Sequence, residues 1–314
     1  MRLCILGGTG FLGRHLCVAL QAGAMPAITI SRNPDHGFLT THAPLVSGLT
    51  LGSSEARVAL EACDVLVHLA SASLPGINWD DPATELERCT LPEVRFLQNF
   101  TRSNRRAHII YASSGGQIYG SGHAMPIPDD VRPAPRTAYA LGKQVVEASL
   151  HILSVAQGNP VTILRIANPI GRWQLGRKHG LVSTAIAAGL AGIPLMLFGE
   201  GTNVRDYFDA DDFAAFLIDY ARAPKAGAGT YNIGSDLGLT ERDVIAVVSR
   251  VIDRPIQVET QPGRPFDLAY ALLNSTRTRR VLGWAPKTDF ETSVRKIAAA
   301  YAAESEAGGP AVRA

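Results

Sequence analysis

The chain has 314 residues, 46% of them hydrophobic and 18% charged, as in an ordinary globular protein with apolar surface for one large core or two smaller ones. A formal net charge of +2 argues against nucleic acid as the main partner, and basic groups that meet an anion should be gathered locally. No apolar run is long enough to span a membrane. The four cysteines (Cys4, Cys17, Cys63, Cys89) lack C-x-x-C spacing and lie mostly in apolar runs, which fits buried, reduced thiols of a cytoplasmic protein.

Residues 2–23, RLCILGGTGFLGRHLCVALQAG, read as strand, glycine turn and helix. Leu3, Ile5 and Leu6 make a short buried strand, while Leu12, Leu16, Ala19 and Leu20 recur at helical spacing. Between them Gly7, Gly10 and Gly13 follow G-x-x-G-x-x-G. Their missing side chains let the backbone turn sharply and approach a pyrophosphate at the helix N-terminus. Gly7, Gly10, Phe11, Leu12 and Gly13 are therefore candidate dinucleotide contacts. The next strand, 27–30, ends in Ser31-Arg32. An acid at this strand end would hold the adenosine ribose of NAD. Serine followed by arginine suits the 2′-phosphate of NADP, so the cofactor is NADP or NAD, with NADP favoured; an exposed loop arginine is the competing account of Arg32.

A helix near 54–62 leads into DVLVHLASAS (64–73), an apolar strand of the buried parallel type. Leu69, Ala70 and Ser71 at its carboxyl end would border the cofactor, and His68, inside the run, reads as a packed side chain. The segment 83–104 is helical in pattern, and Pro92 within it implies a break or a fresh start capped by Thr90. HIIYASS (108–114) is a strand that delivers Ser113 and Ser114, and a Pro-rich loop (121–136) follows.

Tyr139 and Lys143 then stand four apart at the start of a helical pattern and share one face. An ammonium held there favours phenolate over phenol, which fits Tyr139 for general acid/base work. Alone the spacing is a weak signal; the serines and the glycine loop upstream strengthen it. Beyond, 161–171 is a buried strand ending in Asn168-Pro169, and 181–201 reads as helix, short strand and glycine turn. Capped helices follow near 208–220 and 240–251, then helices at 274–283 and 288–303. Residues 303–314 have the composition of a flexible tail.

In order and spacing, GGTGFLG (7–13), DVLVHLAS (64–71), SSGGQIYG (113–120), YALGK (139–143), LRIANPIG (164–171), GEGTNVRDYFDADD (199–212) and TYNIG (230–234) resemble the extended short-chain dehydrogenase/reductase superfamily, in its NAD(P)-dependent epimerase/dehydratase branch. The resemblance covers almost the whole chain. It implies an α/β fold: a doubly wound parallel Rossmann sheet for cofactor over residues 1–165, with later returns, and a smaller C-terminal substrate region over 166–302. It also implies a homodimer built through the helices 83–104 and 137–157.

The chemistry so implied is that of a nucleotide-sugar 4-epimerase of the UDP-glucose/UDP-galactose type. Tyr139 would be the base/acid on the reacting hydroxyl, and Lys143 would hold the nicotinamide ribose. Asn168, Arg205, Arg264 and Asp267 would face the nucleotide and sugar, with no metal. The sequence departs from the family at its usual hydroxyl position, which holds Gly115; either Ser114, one residue earlier and the favoured candidate, takes its place, or the role is vacant and Tyr139 works with less help. Gly116 and Gln117 stand where the family's dehydratases carry an Asp–Glu pair, so dehydration is not expected. Cys89 replaces an asparagine found in many relatives, and 45–52 lacks the acid frequent after the third strand. An NADPH-dependent reductase of a keto-sugar or other carbonyl is the alternative, and a non-catalytic NADP-binding regulator a third reading.

Overall fold

The computed structural model describes residues 1–174, 180–223 and 228–306. Six strands, β1 (Leu3–Leu6), β2 (Ala27–Ser31), β3 (Val46–Thr50), β4 (Val65–His68), β5 (His108–Ser114) and β6 (Val161–Ile166), form one sheet with Gly229–Ile233. From one edge the order is Gly229–Ile233, β6, β5, β4, β1, β2, β3, and every pairing is parallel. Alternation along the strands feeds two cores. Leu3, Ile5, Val65 and Val67 pack on one face; Cys4, Leu6, Leu66 and Ile109 pack on the other. Burial on both faces is why these strands read as continuous apolar runs rather than as alternating ones.

The chain leaves β1 toward β2 and β3, then crosses back to place β4 on the other side of β1. In sheets of this kind, such a reversal opens a crevice above the carboxyl ends of the strands, and ligands bind there. Two smaller sheets stand over it: Leu195–Phe198 with Val258–Gln261, and Val204–Asp209 with Asn168–Ile170, Gly238–Thr240 and Tyr270–Ala271. The helices Leu181–Ala191, Glu241–Ile252 and Phe290–Glu306 support this region with a core of their own, in which Val182, Ile186, Val244, Val248, Val294 and Ile297 are buried.

Local chemistry sets the helix ends. The helix Ala138–Gln157 starts where the Thr137 hydroxyl accepts the Ala140 N–H, and stops at Gly158, whose φ of 85° is a left-handed cap. Pro92 does not break the segment 83–104 as expected. An α-helical turn (Pro82–Glu85) runs into a π-helical turn (Leu86–Thr90) and on into the helix Leu91–Ser103. Proline lacks the N–H of an α-helical bond, and the widened turn absorbs that loss. Thr90 accordingly is helical and caps nothing; its hydroxyl points at Glu85 Oε1, 3.4 Å away.

The helix Phe290–Glu306 continues into the segment expected to be a tail, and 307–314 lie outside the described residues. Among the described residues no helix is long and apolar enough to cross a membrane.

Candidate active site

A cleft of ≈ 1230 Å³ opens above the carboxyl ends of β1, β4 and β5 and beneath the smaller sheets. Its wall includes Gly7, Gly10, Phe11, Leu12, Ser31, Arg32, Leu69, Ala70 and Ser71 from the sheet edge. Ser114, Tyr139, Lys143, Asn168, Arg205, Arg264 and Asp267 line it as well. Of the residues singled out in the sequence only Gly13 lies off the wall, and its role is steric. A Cβ there would sit 2.2 Å from the Gly7 carbonyl oxygen and 2.4 Å from Gly8 Cα, both backbone atoms that cannot move aside. Gly10, by contrast, would meet only the Gly7 oxygen at 3.2 Å, and it begins the helix Phe11–Ala22 with no side-chain cap. Uncapped first-turn N–H groups facing an open glycine make a cradle that fits a dinucleotide pyrophosphate.

At the end of β2 the Ser31 hydroxyl lies 3.4 Å from that of Thr9, and Arg32 is exposed. The acid that usually marks NAD is thus replaced by a hydroxyl, while the arginine stands in solvent at the cleft edge.

On the opposite side of the cleft, Lys143 is buried under Tyr139. Its ammonium donates to the Tyr111 hydroxyl at 3.0 Å and to the Ala112 carbonyl at 3.3 Å, and sits 4.8 Å from the Tyr111 ring centre. Burial holds Tyr111 well above its ordinary titration range, so it remains a phenol and anchors the lysine rather than exchanging protons. Tyr139 is half-buried on the cleft wall and makes no hydrogen bond among the described residues, so its hydroxyl is available to a ligand.

The two serines divide. Ser113 donates to Glu147 at 2.5 Å and is structural, whereas Ser114 faces the cleft with no partner among the described residues. Gly115 could not carry the family hydroxyl here, because a Cβ would lie 2.4 Å from Leu273 Cδ1 and 2.9 Å from the Arg165 carbonyl.

The wall of the cleft opposite the glycine loop is built by the C-terminal region. Arg205 does not pair with its neighbours Asp206 and Asp209. Asp206 is fully buried on Ser235, and burial raises its carboxyl to about 6. Asp209 caps the helix Ala210–Arg222 and bonds Ser293. Arg205 instead donates to the carbonyls of Val204 and Leu268, which fixes its guanidinium while leaving its charge without a hydrogen-bonded carboxylate among the described residues. Burial lowers its affinity for the proton, as expected of a cation short of counter-charge. Arg264 forms a two-toothed pair with Asp267 at 2.9 and 3.0 Å and lies 4.7 Å from the Phe198 ring centre. Asn168 donates to the Asp206 carbonyl at 3.0 Å.

Several cleft and support residues were not singled out from sequence. Glu147 accepts from Arg165 Nη2 at 2.7 Å and from its Nε at 3.2 Å, and Arg165 also reaches the Tyr119 hydroxyl at 3.1 Å. Burial works against the Arg165 cation, but Glu147 and Tyr119 override it and hold the guanidinium above its usual range. An arginine inside an apolar strand and a glutamate one turn after Lys143 were the available signals. Glu93 and Glu241 also line the cleft, beside His68 and Gln117, which the sequence had marked as a packed side chain and as a departure from the dehydratases.

The model of the NAD dependent epimerase/dehydratase family matches residues 3–234. The UDP-glucose 4-epimerase of Mycolicibacterium smegmatis is 28% identical over 94% of this chain and 97% of its own length, and that of Azospirillum brasilense 26% over 92% and 88%. Among solved structures, UDP-glucose 4-epimerase of Thermotoga maritima with UDP-glucose superposes with a TM-score of 0.84 at 24% identity, covering 96% of this chain and 99% of that one. The Thermus thermophilus enzyme, complexed with NAD, gives 0.81 at 24%, covering 96% and 98%. The solved relatives described with a dinucleotide carry NAD, so the preference for NADP drawn from Ser31-Arg32 finds no support. With the glycine cradle, the Tyr139–Lys143 pair and this match over most of its length, the chain belongs to the NAD dependent epimerase/dehydratase family.

Proposed function

We propose that the protein is a nucleotide-sugar 4-epimerase of the UDP-glucose/UDP-galactose type, working with NAD. The observation that carries the reading is one cleft holding both a hydride-transfer group (Tyr139, Lys143, Ser114) and two arginines suited to a diphosphate (Arg205, Arg264). NAD bound on the glycine loop supplies the hydride acceptor. Tyr139 takes the proton of the sugar C4 hydroxyl, and the Ser114 hydroxyl steadies that oxygen. Lys143, fixed by Tyr111 and Ala112, keeps its third ammonium hydrogen for the cleft. Arg205 and Arg264 with Asp267 retain the nucleotide while the 4-keto sugar turns over. Tyr139 then returns the proton as hydride enters the other face. Gly116 and Gln117 line the cleft without an acid or base, which supports epimerisation over loss of water.

We assign residues 1–165 and the returning strand Gly229–Ile233 to cofactor, and most of 166–302 to substrate. Exposed Leu91, Ile152 and Val155 on the helices Leu91–Ser103 and Ala138–Gln157 support a homodimer through those helices. The four free thiols support a reducing, cytoplasmic setting.

Incubation with UDP-galactose and analysis of the sugar by NMR tests the assignment. UDP-glucose should form with no net change in the dinucleotide. Stoichiometric consumption of NADPH with a 4-keto sugar, and no interconversion, would establish the reductase instead.

A further inference from the structure

The floor of the cleft contains buried polar atoms without a well-formed hydrogen bond among the described residues, and the Glu93 carboxyl there also acts on the Tyr111 hydroxyl and helps keep it a phenol. Both ring nitrogens of His68 and Oε1 of Glu93 are shielded from solvent, make no hydrogen bond, and belong to side chains that line the cleft. His68 Nε2 and Glu93 Oε1 are 3.5 Å apart, a contact too long and too poorly directed for a hydrogen bond. The His68 ring packs edge-on against Phe96 and Tyr111, and burial lowers its affinity for a proton.

Glu93 heads the inward stripe of its helix. Leu97 and Phe100, four and seven residues on, are buried in the core, so packing alone calls for an apolar side chain at 93. A carboxylate stands there instead. It borders the main cleft on one side and, on the other, a chamber of ≈ 10 Å³ shared with Tyr139, Lys143 and Glu85. Buried groups left unsatisfied at a ligand cleft call for a specific explanation.

We propose that Glu93 sets the redox poise of the bound nicotinamide. The oxidised ring is a cation and the reduced ring is neutral. A fixed carboxylate in the low-dielectric floor beside Lys143 therefore favours the oxidised form. The reaction itself is unaltered: a hydride from the sugar carbon joins the ring, and the hydroxyl proton passes to Tyr139. What Glu93 changes is the relative affinity of the site for the two forms of the cofactor, so that the reduced form gives its hydride back to the sugar more readily than it would over an uncharged floor. The inference rests on the dinucleotide reading of the cleft and not on which sugar is used.

The test is titration of cofactor-stripped protein with NADH, followed by its displacement with NAD. Glu93→Gln should shift the ratio of the two dissociation constants toward NADH by roughly tenfold, and Glu93→Asp, which keeps the charge, should stay near the wild-type ratio. A ratio unchanged within twofold in Glu93→Gln overturns the proposal. So does a parallel loss of both affinities, which marks a merely structural residue. Failure of the wild type to bind either form would overturn the dinucleotide reading instead.

Discussion

Replacing Glu147 with alanine strips Arg165 of its carboxylate while leaving the guanidinium buried. In the native arrangement Glu147 accepts three arginine contacts between 2.7 and 3.2 Å and the Ser113 hydroxyl at 2.5 Å. Both side chains are at most 7% exposed, so water cannot replace the lost acceptor. Removing one partner of such a pair costs about 3–5 kcal/mol, because the surviving charge stays desolvated. Glu147→Gln preserves the shape and one acceptor and should cost about half as much. Replacing both Glu147 and Arg165 with methionine removes the stranded charge and should recover much of the alanine loss. Urea unfolding followed by circular dichroism reads these differences, provided the transitions keep one slope. An alanine variant within about 0.5 kcal/mol of wild type, the range of an ordinary surface change, would refute the reasoning. Because Glu147 lies one turn beyond Lys143 and grips Ser113, next to Ser114, the same variant should also lose activity before it unfolds.

Tyr139→Phe should lower turnover by about 10²–10⁴-fold while dinucleotide binding persists, checked by epimerisation rate and cofactor content. Arg205→Met should raise KM for the nucleotide sugar by about one to two orders of magnitude, with a smaller change in kcat, as loss of charge-assisted bonds to a diphosphate requires. Gly13→Ala forces a methyl group into the Gly7 and Gly8 backbone and should yield protein that purifies without dinucleotide. Buried His108, bonded to Thr162, is held by burial at about 4 rather than 6.5. Its neutral ring thus contributes stability that is present above pH 6.5 and lost as pH falls toward 4, about 3 kcal/mol in all. Asp206 acts with the opposite sign between 3.8 and about 6, where its raised carboxyl stabilises the fold at the acid end. Urea titrations across this range should show a steeper acid loss in wild type than in His108→Gln.

The parts of the site visible in the sequence are those encoded by local spacing. Gly7, Gly10 and Gly13 announce a turn because a short-range backbone constraint demands them, and Tyr139 with Lys143 follows from one helical turn. The C-terminal arginines were found by family pattern, and the structure supplies the reason: Arg205 is fixed by the carbonyls of its own strand and of Leu268, 63 residues away. The Glu147–Arg165 pair, the Tyr111 anchor and the Glu93 carboxylate were not legible. Each depends on which elements become neighbours in the sheet, and no fixed interval along the chain reports that. The NADP preference is without support among the relatives, since the Ser31-Arg32 pair carries residue types and no contact that names the cofactor.

The π-helical turn at Leu86–Thr90 has a geometric consequence for the carboxylates on either side of it. Over the eight residues from Glu85 to Glu93, an uninterrupted α-helix would overshoot two full rotations by about 80° and splay the two acids apart. The five slower-winding residues take up most of that excess, so both side chains meet the same small chamber behind Tyr139 and Lys143. Deleting one residue from this turn would restore an ordinary pitch and swing Glu85 out from under Gly142, dismantling the chamber without replacing Tyr139, Lys143 or Ser114.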